Sequence, residues 1–241
     1  MTKIKNILSY LQPILLEARE GKITPYLEVV KQNGKNVLNS QNANYSFNGL
    51  DHIFKQLFKK INLQNFHFEN ILILGMGAGN AIELLRETYH INAPITAIEK
   101  DPVVIELAKK HFNIDRHKDL TILNEDAFDY VVNTKEKYDL IISDLFVDDV
   151  VPKIFASKDY ISGLKRVSKS DACIIYNKMT EQTAHKQELK PLKENFDSLF
   201  PGVELLKFYV HEFENSILYY NSINPFSNKS KNKMVYGDRR I

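Results

Sequence analysis

Five short apolar runs, ILIL at 71–74, ITAIE at 95–99, LTIL at 120–123, YDLII at 138–142 and ACIIY at 172–176, are separated by segments with helical periodicity at 79–90, 102–112, about 126–133 and 157–168. The runs do not alternate apolar with polar residues, as expected of strands covered on both faces. Short buried strands spaced by helices have the βαβ rhythm of a parallel sheet. The chain is therefore expected to be an α/β protein with a doubly wound, mostly parallel sheet. Beyond Lys178 a helix near 184–199 precedes ELLKFYV at 204–210 and SILYYN at 216–221, which predicts an antiparallel C-terminal strand pair.

Upstream of this rhythm, Ile4, Ile7, Leu8, Leu11 and Leu15 have near-helical spacing over 4–19, interrupted at Pro13. The runs 26–31 and 36–39 flank Asn33-Gly34, a pair suited to the positive backbone angles of a tight hairpin turn. Leu50, Ile53, Phe54, Leu57, Phe58 and Ile61 then fall on one stripe of a helix of about 14 residues. The expected organisation is an N-terminal helix and small β-hairpin extension (1–48), a main α/β domain (49–223) and a polar basic tail (224–241).

Composition narrows the function classes. Fourteen Phe and twelve Tyr in 241 residues argue for a packed chain, and a net charge of +2 gives no field of the kind that marks a dedicated nucleic-acid binder. The lone Cys173 lies in an apolar run and excludes a disulfide framework or a multi-cysteine metal site. No HExxH-type cluster supports zinc, so no metal is expected, and His111 and His117 are expected on the surface. There is no basic start followed by an apolar run and no stretch of eighteen apolar residues, so the expectation is a cytoplasmic protein without membrane contact.

ILILGMGAGN places Gly75, Gly77 and Gly79 between the first strand of the main domain and its helix, where a ligand can approach backbone amides closely. Glu99 follows at the end of the next strand, placed to bind two ribose hydroxyls. A nucleoside ligand is the expectation. Asn80 departs from the G-x-G-x-x-G dinucleotide fingerprint, and no Lys-Ser or Lys-Thr follows as in a phosphate-cradling P-loop.

The G-x-G-x-G spacing resembles the first motif of class I S-adenosylmethionine-dependent methyltransferases, a Rossmann-like fold. That resemblance assigns Asp126 in NEDAFDYV to the adenine amino group and Ala127 to a backbone amide contact, while Asp126 also suits a helix cap. A closer resemblance, over about 20–222, is to spermidine synthases. It rests on the preceding hairpin, on Ile73 in place of the usual methyltransferase acid, on EKDPVVIELAKKHF after the second strand and on YDLIISD followed by LFVDDVVPKIFASKDY.

What the resemblance implies is a sulfonium donor, a small-molecule acceptor such as an amine, and a homodimer, for which the apolar face of the first helix is suited. It gives Asp144 the role of orienting and deprotonating the attacking group, and it places Asp148, Asp149, Gln41 and Tyr45 toward the substrate. The glycine loop, however, has Ala78 where those enzymes carry an ammonium-binding aspartate, and Val147 stands in place of their second acid. From these two departures the sequence favours methyl transfer from S-adenosylmethionine to an unidentified acceptor. Aminopropyl transfer from the decarboxylated donor is the alternative, and a nucleoside-binding module without turnover is a further one. The basic tail is expected to be solvated rather than bound to nucleic acid, and no N-P-P-Y-like segment follows the fourth strand to stack an extruded base.

Overall fold

The structure is a computed structural model and describes residues 2–41, 50–147, 150–180, 186–210 and 213–222. A short helix, α1 (Thr2–Leu8), is followed by three strands, β1 (Ile14–Arg19), β2 (Leu27–Gln32) and β3 (Lys35–Ser40). These form an antiparallel sheet in chain order. The hairpin between β2 and β3 is as expected: Asn33 and Gly34 both have positive φ, 49° and 77°, and Gln32 pairs with Lys35. The helical reading of 4–19 is corrected. The helix covers only Thr2–Leu8; the chain turns over residues 9–12 ahead of Pro13, and Ile14–Arg19 pairs along β2 as a third strand. Ile7 and Leu11 remain largely exposed at 70% and 82%.

After α2 (Leu50–Lys60) the main sheet begins with β4 (Ile71–Leu74), followed by α3 (Asn80–Glu83) and a π-helical turn at Leu84–Thr88. β5 (Ile95–Glu99), α4 (Pro102–Phe112), β6 (Leu120–Asn124), α5 (Ala127–Asn133) and β7 (Tyr138–Ser143) follow. The chain continues through α6 (Lys158–Val167), β8 (Ser168–Met179), α7 (Leu189–Leu199), β9 (Glu204–Val210) and β10 (Phe213–Asn221). Strand order is β6-β5-β4-β7-β8-β10-β9, parallel through β8 and antiparallel for the last two strands, which is the doubly wound arrangement expected.

Adjacent strand residues feed opposite layers. Ile71, Ile73, Leu140, Ile142 and Ile175 pack with Phe54, Leu57 and Phe58 of α2. Leu72, Leu74, Ile141, Ile174 and Tyr176 pack with α5, α6 and α7 through Val131, Leu164 and Phe196. Cys173 is buried in the first layer, as its neighbours suggested.

Asp101 is one of the residues that tie the N-terminal extension to the main domain. Asp101 caps α4 through Val103 N at 2.9 Å with Pro102 in the first turn, and its other oxygen accepts from Ile23 N at 2.8 Å and Thr24 N at 3.3 Å. Burial opposes charge on Asp101, but these backbone donors outweigh it and hold the carboxyl below its ordinary value. Its stabilisation is therefore present above the unfolded carboxylate range and is lost as pH falls through the lowered folded value. Asp101→Ala removes the cap and orphans two N–H groups, so urea denaturation is expected to show a loss of about 2–4 kcal/mol near neutral pH. The deficit should shrink in acid.

Candidate active site

The C-terminal ends of β4, β5, β6 and β7 open onto one pocket, where ligands bind in open parallel sheets. Its walls include Gly75, Met76, Gly77, Asn80, Glu99, Lys100, Asp126, Ala127, Asp144, Leu145 and Phe155, with Ile23 and Thr24 reaching over from the N-terminal extension. Of the residues singled out in the sequence, Gly75, Gly77, Glu99, Asp126, Ala127 and Asp144 are brought together here.

Glu99 is anchored at both oxygens, accepting from Gly77 N at 3.0 Å and from Asp101 N at 3.0 Å. Burial pushes its pKa up against the pull of these donors. A carboxylate fixed in this way keeps its remaining lone pairs for hydroxyl donors such as a ribose diol. Asp126 serves two ends at once. It caps α5 through Phe128 N at 2.7 Å and pairs with Lys100 at 2.8 Å; burial opposes its charge, but these contacts win and its pKa is lowered.

Asp144 lies across the pocket, just beyond β7, and its backbone N–H donates to Leu74 O at 2.8 Å. Burial raises its carboxyl pKa to about 6, opposed by the Asn177 amide, which donates to Oδ1 at 2.8 Å. A carboxylate poised near neutrality is suited to accept a proton from a reacting group.

Two of the loop residues lie elsewhere. Ala78 is buried in the apolar cluster of Leu27, Val29, Leu38 and Val103 and lines a neighbouring cavity that shares Asn80 with this pocket. Gly79 packs against Ile114 and precedes α3. Gln41 is exposed just beyond β3, outside the pocket. Tyr45, Asp148 and Asp149 lie outside the described residues.

Several pocket residues were not singled out as site residues in the sequence. Lys100 and Asp101 sit in the quoted E-K-D-P segment, and Asn177, which bonds Asp144 from behind the pocket wall, ends an apolar run, so their types were visible but their partners were not. Asn80, noted only as a departure from a fingerprint, lines the pocket and has a buried Nδ2 without a hydrogen-bond partner among the described residues.

The histidine expectation is corrected. His117 is buried, with a side chain only 6% exposed, and His111 contacts Glu17 at 2.6 Å. Glu83, Glu87 and His117 come within metal-ligand reach of one another. The Arg116 guanidinium already pairs with both carboxylates, so the chain supplies the positive charge there itself. Among the described residues no helix is long and apolar enough to cross a membrane.

Residues 51–233 match the family model of the spermine/spermidine synthase domain. The chain is 31% identical over 154 residues to polyamine aminopropyltransferase 2 of Aquifex aeolicus, covering 60% of this chain and 29% of that protein. It is 34% identical over 110 residues to the polyamine aminopropyltransferase of Sulfurisphaera tokodaii, covering 42% of this chain and 36% of that protein. The matches thus span roughly a third of the length of these curated relatives. The fold superposes on a probable spermidine synthase from Corynebacterium glutamicum with a TM-score of 0.73 at 17% identity, covering 89% of this chain and 83% of that one. These findings overturn the preference for methyl transfer. The departures at Ala78 and Val147, on which that preference rested, do not outweigh the match of residues 51–233 to the family domain.

Proposed function

The chain belongs to the spermine/spermidine synthase domain family, and on that premise we propose that it is a polyamine aminopropyltransferase. The donor is decarboxylated S-adenosylmethionine and the acceptor a small amine. One observation carries the proposal: a pocket whose β5 side presents an anchored glutamate for a ribose also presents, across it, a buried carboxylate whose pKa is raised to about 6.

In this reading Gly75 and Gly77 allow the nucleoside close to the backbone, Glu99 takes its ribose hydroxyls, and Asp126 with Ala127 takes the adenine edge. Asp144 receives the acceptor as an ammonium, orients it and takes up a proton. The freed nitrogen lone pair attacks the methylene carbon next to sulfur as the carbon–sulfur bond breaks. The bonding pair stays on sulfur, which leaves as a neutral thioether. Alignment of nitrogen, carbon and sulfur supplies most of the acceleration, since the sulfonium is already an activated leaving group.

The test is to incubate the protein with a short aliphatic diamine and each donor in turn, and to identify products by mass spectrometry. An aminopropylated amine together with the nucleoside thioether is expected from the decarboxylated donor, whereas methylated product from the intact donor would overturn the reading. Glu99→Gln is expected to weaken donor binding in calorimetry by about 10–100-fold, the loss of charge-assisted hydrogen bonds to the diol.

A further inference from the structure

Behind Asp144 a line of two amides crosses the sheet, beside the buried polar residues Lys178, Thr180 and Ser216. Asn177 on β8 and Asn215 on β10 are 1% and 4% exposed. Buried amides are costly unless hydrogen bonded, and two leucines would fill similar space without that cost. The line has a direction set by chemistry. An ionised carboxylate can only accept, so Asn177 must turn its NH₂ toward Asp144, where it donates at 2.8 Å. Its carbonyl then points away and needs a donor, and the Asn215 NH₂ supplies one. Without that donor the Asn177 carbonyl would be buried without a partner, a cost that works against the orientation the carboxylate requires.

We propose that Asn177 and Asn215 are positioning residues for Asp144: Asn215 fixes the orientation of the Asn177 amide, and Asn177 holds one carboxylate oxygen so that the other is presented to the acceptor nitrogen. This role rests on the aminopropyl-transfer reading. Among the described residues no second hydrogen bond reaches the Asp144 carboxylate. The charged groups on the neighbouring elements are engaged elsewhere: Lys178 with Glu188, Glu214 with Lys207 and Lys186, and Asp126 with Lys100. Glu99, Asp101 and Glu125 also line the pocket, with the Glu99 and Asp101 oxygens held by backbone N–H groups. Burial and the Asn177 bond, not these charges, set the state of Asp144.

The experiment uses Asn177→Leu, Asn215→Leu and the double variant of the full chain. Replacing both amides by apolar groups of similar shape leaves no orphaned partner between them, so the double variant is expected to melt close to the wild type. The readouts are the titration of the Asp144 carboxyl by carbon NMR, assigned with Asp144→Asn, and the pH profile of kcat/KM. The wild-type midpoint is expected at about 6. Asn177→Leu and the double variant should move it, and the acid limb, upward to roughly pH 7 or above, with kcat lowered about tenfold or more and donor affinity by calorimetry unchanged. Asn215→Leu should move both in the same direction by less, and it carries the test if the other variants do not fold. A double variant with unchanged midpoint and rate would show that the amides serve packing alone and would overturn the proposal. If the wild type transfers no aminopropyl group, the assigned activity fails while the NMR midpoints still decide whether the amides hold the carboxylate.

Discussion

Asp144→Asn is expected to lower kcat for aminopropyl transfer by about 10²–10⁴-fold, while donor affinity measured by calorimetry stays within about a factor of two. The substitution is nearly isosteric and keeps an oxygen to accept from the Asn177 amide, so the end of β7 should keep its place. What it removes is the proton acceptor and the negative charge that draws an ammonium into the pocket. The pH dependence has a definite sign. With the Asp144 pKa raised to about 6, the protonated form prevails below that value and cannot take a proton from the amine. Wild-type kcat/KM should therefore fall as pH drops through about 6, and at pH 7 about nine-tenths of Asp144 is competent. In Asp144→Asn that limb should vanish, leaving a low, flat residual rate from alignment alone. A variant with wild-type rate and an intact acid limb would place the base on another residue.

Much of this site can be read in the chain because its anchors are local. Gly75 to Glu99 is a single strand, loop, helix and strand, and neighbouring parallel strands fix where Glu99 must end relative to the loop. Asp126 follows from the same rule one strand further on. The resemblance carried over the position of Asp144 at the end of β7, yet nothing in YDLIISD reveals what holds it. Its partner Asn177 is 33 residues away and Asn215 a further 38, brought together only by the pairing of β7 with β8 and of β8 with β10. Ala78 misled for another reason: one absent side chain in the loop was given more weight than the pattern of the whole 51–233 segment, which carries the family match. The β1 error is one of period: in six residues with four apolar positions, helical and extended spacings overlap, and pairing with β2 decides between them. His117 went unread as a buried residue because it lies just past a one-turn 3₁₀ segment that starts from the left-handed Asn113 and folds back under α3.

The fixed geometry of that loop makes Gly75→Ala the most damaging small change available outside the reacting groups. Gly75 has φ +84°, and a Cβ there would sit 2.2 Å from the Asp144 carbonyl oxygen. Neither side can yield. The N–H groups of Gly75 and Met76 both donate to Ile98 O at 3.0 Å, and Asp144 N is held by Leu74 O at 2.8 Å. Because the obstacle is backbone, relief requires the loop to lift from β5 or the end of β7 to move, and the second motion carries Asp144 with it. Gly202 provides the control: it has φ +89°, and a Cβ there would meet nothing within 4 Å, so Gly202→Ala isolates the cost of the backbone angle. That cost is about 1–2 kcal/mol. Gly75→Ala is expected to lose about 3–5 kcal/mol in urea denaturation, and donor binding should fall by about 100-fold or more in whatever remains folded. If Gly75→Ala proved no more damaging than Gly202→Ala and bound donor normally, the contact between loop and β7 would not be what sets the distance between the ribose-binding and proton-accepting sides of the pocket, and the donor would have to be held by groups other than this turn.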